Sequence, residues 1–338
     1  MGGLAGGLTL HACAQPTTTS STASSAASTA AAQPVSAATG STLWIGYTPL
    51  YIAIEKGFFK DNGFDLEYKV FGSSSEGDAA FAAGQIEGLN NVTSETVALM
   101  SKGKNFRIVQ VADTSLGGDG ILARNTIPDV AGFKGKDIAV DVGGVSHFFL
   151  LQVLEEAGLT ANDVKITNLT PDAAAAAYQA GKVDIAVTYS PFLQKANEAQ
   201  PNGRIIYDTS KMPTAIVDVY LFNADFVAQH PEAMQAFVNG IYQAQDFLKT
   251  NKDEALAIAG KKLQLQPEEV EAELKGVDLT SAETNMKMLA EPDSDIYLVK
   301  HMDALGTFLK DQNQIPDAPS TDALSQLIEP AFVKAASI

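Results

Sequence analysis

Seven short segments follow apolar, strand-like runs and lead into helix-like ones: residues 46–49 (GYTP), 72–77 (GSSSEG), 91–95 (NVTSE), 112–120 (ADTSLGGDG), 141–147 (DVGGVSH), 188–191 (TYSP) and 217–219 (VDV). In open α/β sheets, the loops at the carboxyl ends of strands are where ligands sit. None of the seven contains Lys or Arg, yet they carry Glu76, Glu95, Asp113, Asp119, Asp141 and Asp218. Carboxylates pair bidentately with planar guanidinium or amidinium groups, and the faces of Tyr47 and Tyr189 could stack on such a cation. Thr48, Thr93, Ser94, Ser146 and His147 add hydroxyl and imidazole groups to the same loops. A small anion could still be held by backbone N–H groups at helix starts, but several carboxylates near one buried anion would repel it.

Each residue also has a plainer use. Glu76 and Glu95 fall at helix beginnings, where a negative charge suits the helix dipole. Asp113 ends a strand ahead of Thr114 and Ser115, a position that ties a turn. Asp119, between two glycines, fits a left-handed turn as well as a binding loop. Asp141 follows an apolar strand and precedes Gly143 and Gly144, which makes it the leading single candidate. Asp218 stands between valines in a run too apolar for a surface charge, so its burial demands a partner. Covalent catalysis would need a reactive Lys, Cys or His constellation. The single cysteine is Cys13, and of four scattered histidines only His147 falls in these loops. Binding without catalysis, cofactor or metal is the expectation.

The elements that must carry these loops alternate. Thr48 and Pro49 start a helix that Gly63 ends, after the apolar run LWIGY read as a strand. FDLEYKV (64–70) alternates like a strand with one covered face. Strand and helix patterns continue in turn to residue 217, which implies parallel sheets with helices on their faces. A faint repeat links 78–87 (DAAFAAGQIE) to 172–184 (DAAAAAYQAGKVD), each a small-residue helix closed by a glycine ahead of a strand. Two similar α/β lobes follow, with a helical tail after Asp218 that completes the first.

The 338 residues exceed what one hydrophobic core organises. A net charge of −17 repels phosphate backbones and anionic lipid surfaces, which speaks against a nucleic-acid partner. No charged side chain precedes Glu55. Residues 1–13 read as the apolar end of a secretory signal, with residues 10–13 (LHAC) like a lipobox that would lipidate Cys13. Residues 14–41, rich in Ser, Thr and Ala, read as a flexible linker.

Residues 53–67 (AIEKGFFKDNGFDLE), 133–140 (FKGKDIAV), a helix from Ser146 and His147 to 154–159 (LEEAGL), and 180–192 (AGKVDIAVTYSPF) together carry a resemblance. Over residues 43–220 the chain resembles substrate-binding proteins of ABC importers of the nitrate, taurine and alkanesulfonate type, a group that includes carriers of thiamin precursors. The resemblance implies a two-lobed type II periplasmic-binding-protein fold, each lobe a mostly parallel sheet with helices on both faces. It places lobe 1 at 42–124 plus 218–338 and lobe 2 at 125–217, with crossings near 122–126 and 216–222. It further implies a monomer outside the cytoplasm, in the periplasm or at the cell surface. Such a protein delivers its ligand to ABC permease subunits and meets the membrane only through a lipid anchor. Many relatives carry Trp and an acidic residue before the Pro-Phe pair, where this chain has Tyr189 and Ser190. The residues favour a small, nitrogen-containing, guanidinium-like cation; the resemblance favours taurine, an alkanesulfonate or nitrate. A thiamin-pyrimidine synthase-like enzyme is the remaining alternative.

Overall fold

The computed structural model describes residues 34–336. The signal segment, Cys13 and residues 14–33 of the expected linker lie outside the described residues. The first part of the chain holds β1 (Val35–Ser41), α1 (Thr48–Lys56), α2 (Phe58–Asp61), β2 (Phe64–Val70), α3 (Ser74–Ala82), β3 (Gly88–Val92), α4 (Thr93–Ser101) and β4 (Phe106–Ser115). The middle holds β5 (Asp119–Arg124), β6 (Asp137–Val140), α5 (Val145–Glu156), β7 (Lys165–Asn168), α6 (Pro171–Gln179), β8 (Ile185–Tyr189), α7 (Phe192–Ala199) and β9 (Gly203–Asp208). After β10 (Val217–Asn223) the chain turns helical. It runs through α8 (Ala224–Gln229), α9 (Pro231–Thr250), α10 (Lys252–Leu263) and α11 (Pro267–Glu273), then β11 (Val277–Leu279). Last come α12 (Ala282–Leu289), α13 (Leu298–Asp311), α14 (Thr321–Ser325) and α15 (Ala331–Lys334).

Two sheets result, ordered β11-β4-β10-β3-β1-β2 and β7-β6-β8-β5-β9. They share a plan: β2-β1-β3-β10-β4 in one corresponds to β7-β6-β8-β5-β9 in the other. In each, three strands run parallel and the next pairs antiparallel. Both sheets are therefore mixed, because the strand that arrives from the opposite lobe returns against its neighbours. The internal repeat has a physical basis here. α3 and α6 are equivalent helices, and Gly84 (φ 69°) and Gly181 (φ 72°) turn the chain from each into β3 and β8.

Three boundaries differ from expectation. β1 falls inside the stretch read as flexible linker, although its sequence is only VSAATGS. It pairs with β2 along all seven residues and with β3 on its other side, so backbone bonding on both edges holds it. Small side chains are required there: a Cβ at Gly40 would lie 2.4 Å from the Phe71 ring. LWIGY is not a strand; Ile45–Tyr47 forms a single 3-10 turn, and the Trp44 amide donates to the Tyr51 hydroxyl at 3.2 Å. Finally, β5 belongs to the second sheet, so the first crossing is residues 116–118 and not 122–126. The second crossing, residues 209–216, precedes β10.

The crossings are tied together. Ser115 Oγ and Thr209 Oγ1 lie 2.7 Å apart, and Thr209 Oγ1 also accepts the Gly117 amide at 2.7 Å. The Gly276 carbonyl accepts from Leu116 and Gly118 at 2.8 and 2.9 Å. Gly117 has φ 120°, a conformation other residues adopt at a cost. The helical tail packs on the first sheet, which gains β10 and β11 from it. Along α9, Met234, Phe237, Val238 and Ile241 are buried, each worth about 1.5–3 kcal/mol relative to exposure. Phe237 stacks on Phe59 with centroids 5.1 Å apart.

Candidate functional site

Four buried side chains that line one cavity each leave a polar atom without a hydrogen-bond partner among the described residues: Asn90 Nδ2, Glu95 Oε1, Asp119 Oδ2 and Asp218 Oδ2. Buried polar atoms are seldom left so. The cavity sits between the two sheets. Ser41, Asn90, Asn91, Glu95 and Asp218 face it from the first, and Asp119, Val145 and Tyr189 from the second. It offers about 30 Å3 to the centre of a water molecule, room for roughly two waters or a ligand of a few heavy atoms. A larger depression of about 450 Å3 between α7 and α11 holds one orphaned atom, Glu273 Oε2. The smaller cavity concentrates the unmet chemistry.

Strand register brings the acids together. In the antiparallel ladder Asp218 stands opposite Asp113 on β4 and Val92 on β3, while Asp119 stands opposite Tyr189. Burial is the main force on each carboxyl, because a charge loses its hydration there. It drives Glu95 up to about 8, helped by the charge of Asp78 and opposed by the Ser74 hydroxyl and the Val145 amide. Asp113 also rises to about 8, although Trp44 Nε1 donates to its two oxygens at 3.1 and 3.2 Å. Asp119 rises to about 7 through burial, against one bond from Ser115. Asp218 is pushed well above the usual range by burial and then by Asp113; the Tyr47 hydroxyl, donating at 2.7 Å, opposes this. Burial holds Asp78 at about 6, against the charge of Lys102. Among the described residues, no Lys or Arg lines the cavity. The site can therefore accept hydrogen bonds in quantity, and it gains most from a partner that brings donors and positive charge.

Of the residues singled out in the sequence, Tyr47, Glu95, Asp119, Tyr189 and Asp218 line the cavity. Asp113 stands one layer behind, spent on Trp44 and not on a turn. Asp119 is the first residue of β5 and not a left-handed turn. Asp141 is buried but does not line the cavity; its carboxyl packs against Gly144, where a Cβ would come within 2.7 Å. His147 Nδ1 faces the Gly143 amide at 3.4 Å, and burial lowers the basicity of the ring. Ser146 lies inside α5, with Gly144 as the N-cap, and its hydroxyl is buried and unpaired.

Four candidates point elsewhere. Thr48 donates to the Ile45 carbonyl at 2.7 Å, and Thr93 pairs with His301 Nε2 at 3.0 Å. Glu76 is exposed and accepts the Gly72 amide at 2.9 Å. Ser94 is buried in the first turn of α4 and does not line the cavity. The wall also includes Trp44, Asp78 and Asn90, which lie outside the seven segments, and Ser73, Ser74 and Asn91, which lie within two of them but were not singled out. A signal existed for two: Asn90 and Asn91 are consecutive amides inside an apolar strand.

A model of the NMT1/THI5 like family matches residues 44–255. The chain is 27% identical over 201 residues to the taurine-binding periplasmic protein of Escherichia coli (strain K12), which covers 58% of this chain and 61% of that protein. It is 30% identical over 238 residues to a putative aliphatic sulfonates-binding protein of Bacillus subtilis (strain 168), covering 68% of this chain and 71% of that one. Its fold is similar to the alkanesulfonate-binding protein SsuA from Xanthomonas axonopodis pv. citri bound to MOPS. There the TM-score is 0.71 at 20% identity, over 89% of this chain and 100% of that one. With its two mixed sheets and its matched core, the chain belongs to the NMT1/THI5-like family.

Proposed function

We propose that this protein is the solute-binding component of an ABC importer, working outside the cytoplasm. It takes up a small, polar, nitrogen-containing solute between its two sheets and presents it to membrane permease subunits. The observation that carries the reading is the cavity of orphaned polar atoms between two lobes joined by two short crossings. Hinge closure over a ligand is the usual motion of such a design, and residues 116–118 and 209–216 are the places to absorb it. The relatives' names, which speak of binding and of the periplasm, support capture over catalysis and an extracytoplasmic location. Lipidation of Cys13 belongs to the same reading: Cys13→Ser would release the protein from the membrane fraction.

The relatives' names back taurine or an alkanesulfonate better than the guanidinium-like cation that the acidic loops suggested. The lining favours a group rich in N–H donors. Both considerations meet in a solute with an amino nitrogen, since taurine carries an ammonium beside its sulfonate. Calorimetric titration of the full chain with taurine, ethanesulfonate and guanidinium tests the reading. Saturable binding of any of the three, with its affinity changed in a double Glu95→Gln, Asp218→Asn variant, supports capture in this cavity. Binding that is the same in that variant as in the native protein removes the ligand from it.

A further inference from the structure

Three helices begin around Glu95. It lies in the first turn of α4, the Ser74 hydroxyl of α3 and the Val145 amide of α5 flank its carboxyl, and all three residues line the cavity. Helix starts attract negative charge through their free N–H groups and the helix dipole. An anionic ligand entering this cavity would be drawn to that spot, and the chain has put a carboxyl of its own there.

Glu95 is 2% exposed, yet its Oε1 accepts no hydrogen bond. Two further orphaned acceptors face the same cavity, Asp119 Oδ2 from β5 and Asp218 Oδ2 from β10. Tyr47 holds the other oxygen of Asp218 at 2.7 Å, which fixes the direction of that carboxyl. The three acceptors thus come from both lobes and from rigid elements. A buried acceptor without a donor is costly, and a charge-assisted donor satisfies it best. We infer that the recognised group is a nitrogen cation bearing several N–H donors, and that Glu95, by occupying the helix starts with its own carboxyl, is the specificity-determining residue that turns away sulfonates lacking such a group.

This inference rests on the solute-binding reading above, and the test keeps the two apart. Guanidinium at low millimolar concentration and ethanesulfonate are titrated calorimetrically into the full-length protein and its Glu95→Gln variant. The variant keeps the shape of the side chain, and a thermal melt confirms that it folds. The expected result is guanidinium binding by the native protein, weakened at least ~10-fold in Glu95→Gln, with ethanesulfonate affinity appearing or rising in the same variant. Asp119→Asn provides a second variant, expected to weaken guanidinium without admitting ethanesulfonate, because it lies away from the helix starts. Native protein that binds ethanesulfonate and ignores guanidinium overturns the inference while leaving solute capture standing. Unchanged selectivity in Glu95→Gln overturns it as well. Failure of the native protein to bind guanidinium, ethanesulfonate or taurine overturns both readings.

Discussion

The two lobes are built on one strand plan but contribute unequally to the cavity. The first sheet and its helices provide Asn90, Glu95 and Asp218, with Tyr47 and Trp44 beside them; the second provides a single carboxyl, Asp119, beside Tyr189 and Val145. The source of the difference is local. At the carboxyl end of β3 the chain enters a helix through Thr93, Ser94 and Glu95, whereas the equivalent end of β8 leads through Ser190 and Pro191 to α7. Shared architecture therefore says where a ligand sits, and the residues at strand ends say what it is. On the proposed reading, the first lobe is the platform that holds the ligand and the second the cover that completes its coordination.

Removal of a platform acid should have the largest effect. Asp218→Asn leaves the cavity's other acids in place but deletes one partner of a buried pair, and should weaken cation binding by about 2–5 kcal/mol. The same variant should melt at a higher temperature without ligand, since it spares the fold a buried acid. If calorimetry shows Asp119→Asn to be the costlier change, the platform belongs to the other lobe.

Proton linkage gives the next effect. Glu95, Asp113 and Asp119 titrate near 8, 8 and 7 when folded, against about 4 in an unfolded chain. Between these values the unfolded chain binds fewer protons than the folded one, so stability falls as pH rises. The contribution of these acids should be fully present below about pH 4, decline toward pH 8 and level off above it, while cation affinity rises over pH 6–8. Denaturant titrations across that range check the slope, and a flat profile would mean these acids are better hydrated than their burial indicates.

At the crossing, Gly118→Ala places a Cβ 2.5 Å from the Trp44 ring. Overpacking of this kind costs about 1–3 kcal/mol, and Trp44 should report the shift in its fluorescence. An unchanged midpoint and spectrum would show that the crossing yields easily. The smallest effect is expected for Tyr47→Phe, which removes the 2.7 Å bond to Asp218. The loss should be about 1 kcal/mol in stability, with a further weakening of the ligand as Asp218 loses its fixed direction. A neutral outcome would mean that water or ligand already supplies that donor.

Much of the fold was legible because local pattern and tertiary role agree. FDLEYKV alternates and is a strand, DAAFAA is a small-residue helix, and Pro49 sits in the first turn of α1, although Thr48 bonds to Ile45 and does not cap it and Gly57 ends the helix ahead of Gly63. VSAATGS misled because a strand bonded along both edges needs no apolar alternation, and its closeness to Phe71 selects the same small residues as a flexible tether. The site was legible as a set of loops but only partly as a set of residues. Glu76 and Glu95 look alike in sequence, each early in a helix. One caps Gly72 at the surface and the other is buried between three helix starts, and nothing within a few residues of either distinguishes them.

By itself, then, the chain determined its order of strands and helices, its two-lobed plan and an acidic set of strand-end loops, because periodicity, caps and charge are properties of neighbouring residues. Tertiary structure decided which acids face one another. Asp218 stands opposite Asp113 through sheet register and accepts from Tyr47 of a 3-10 turn, each more than a hundred residues away, and only the assembled fold brings such groups together.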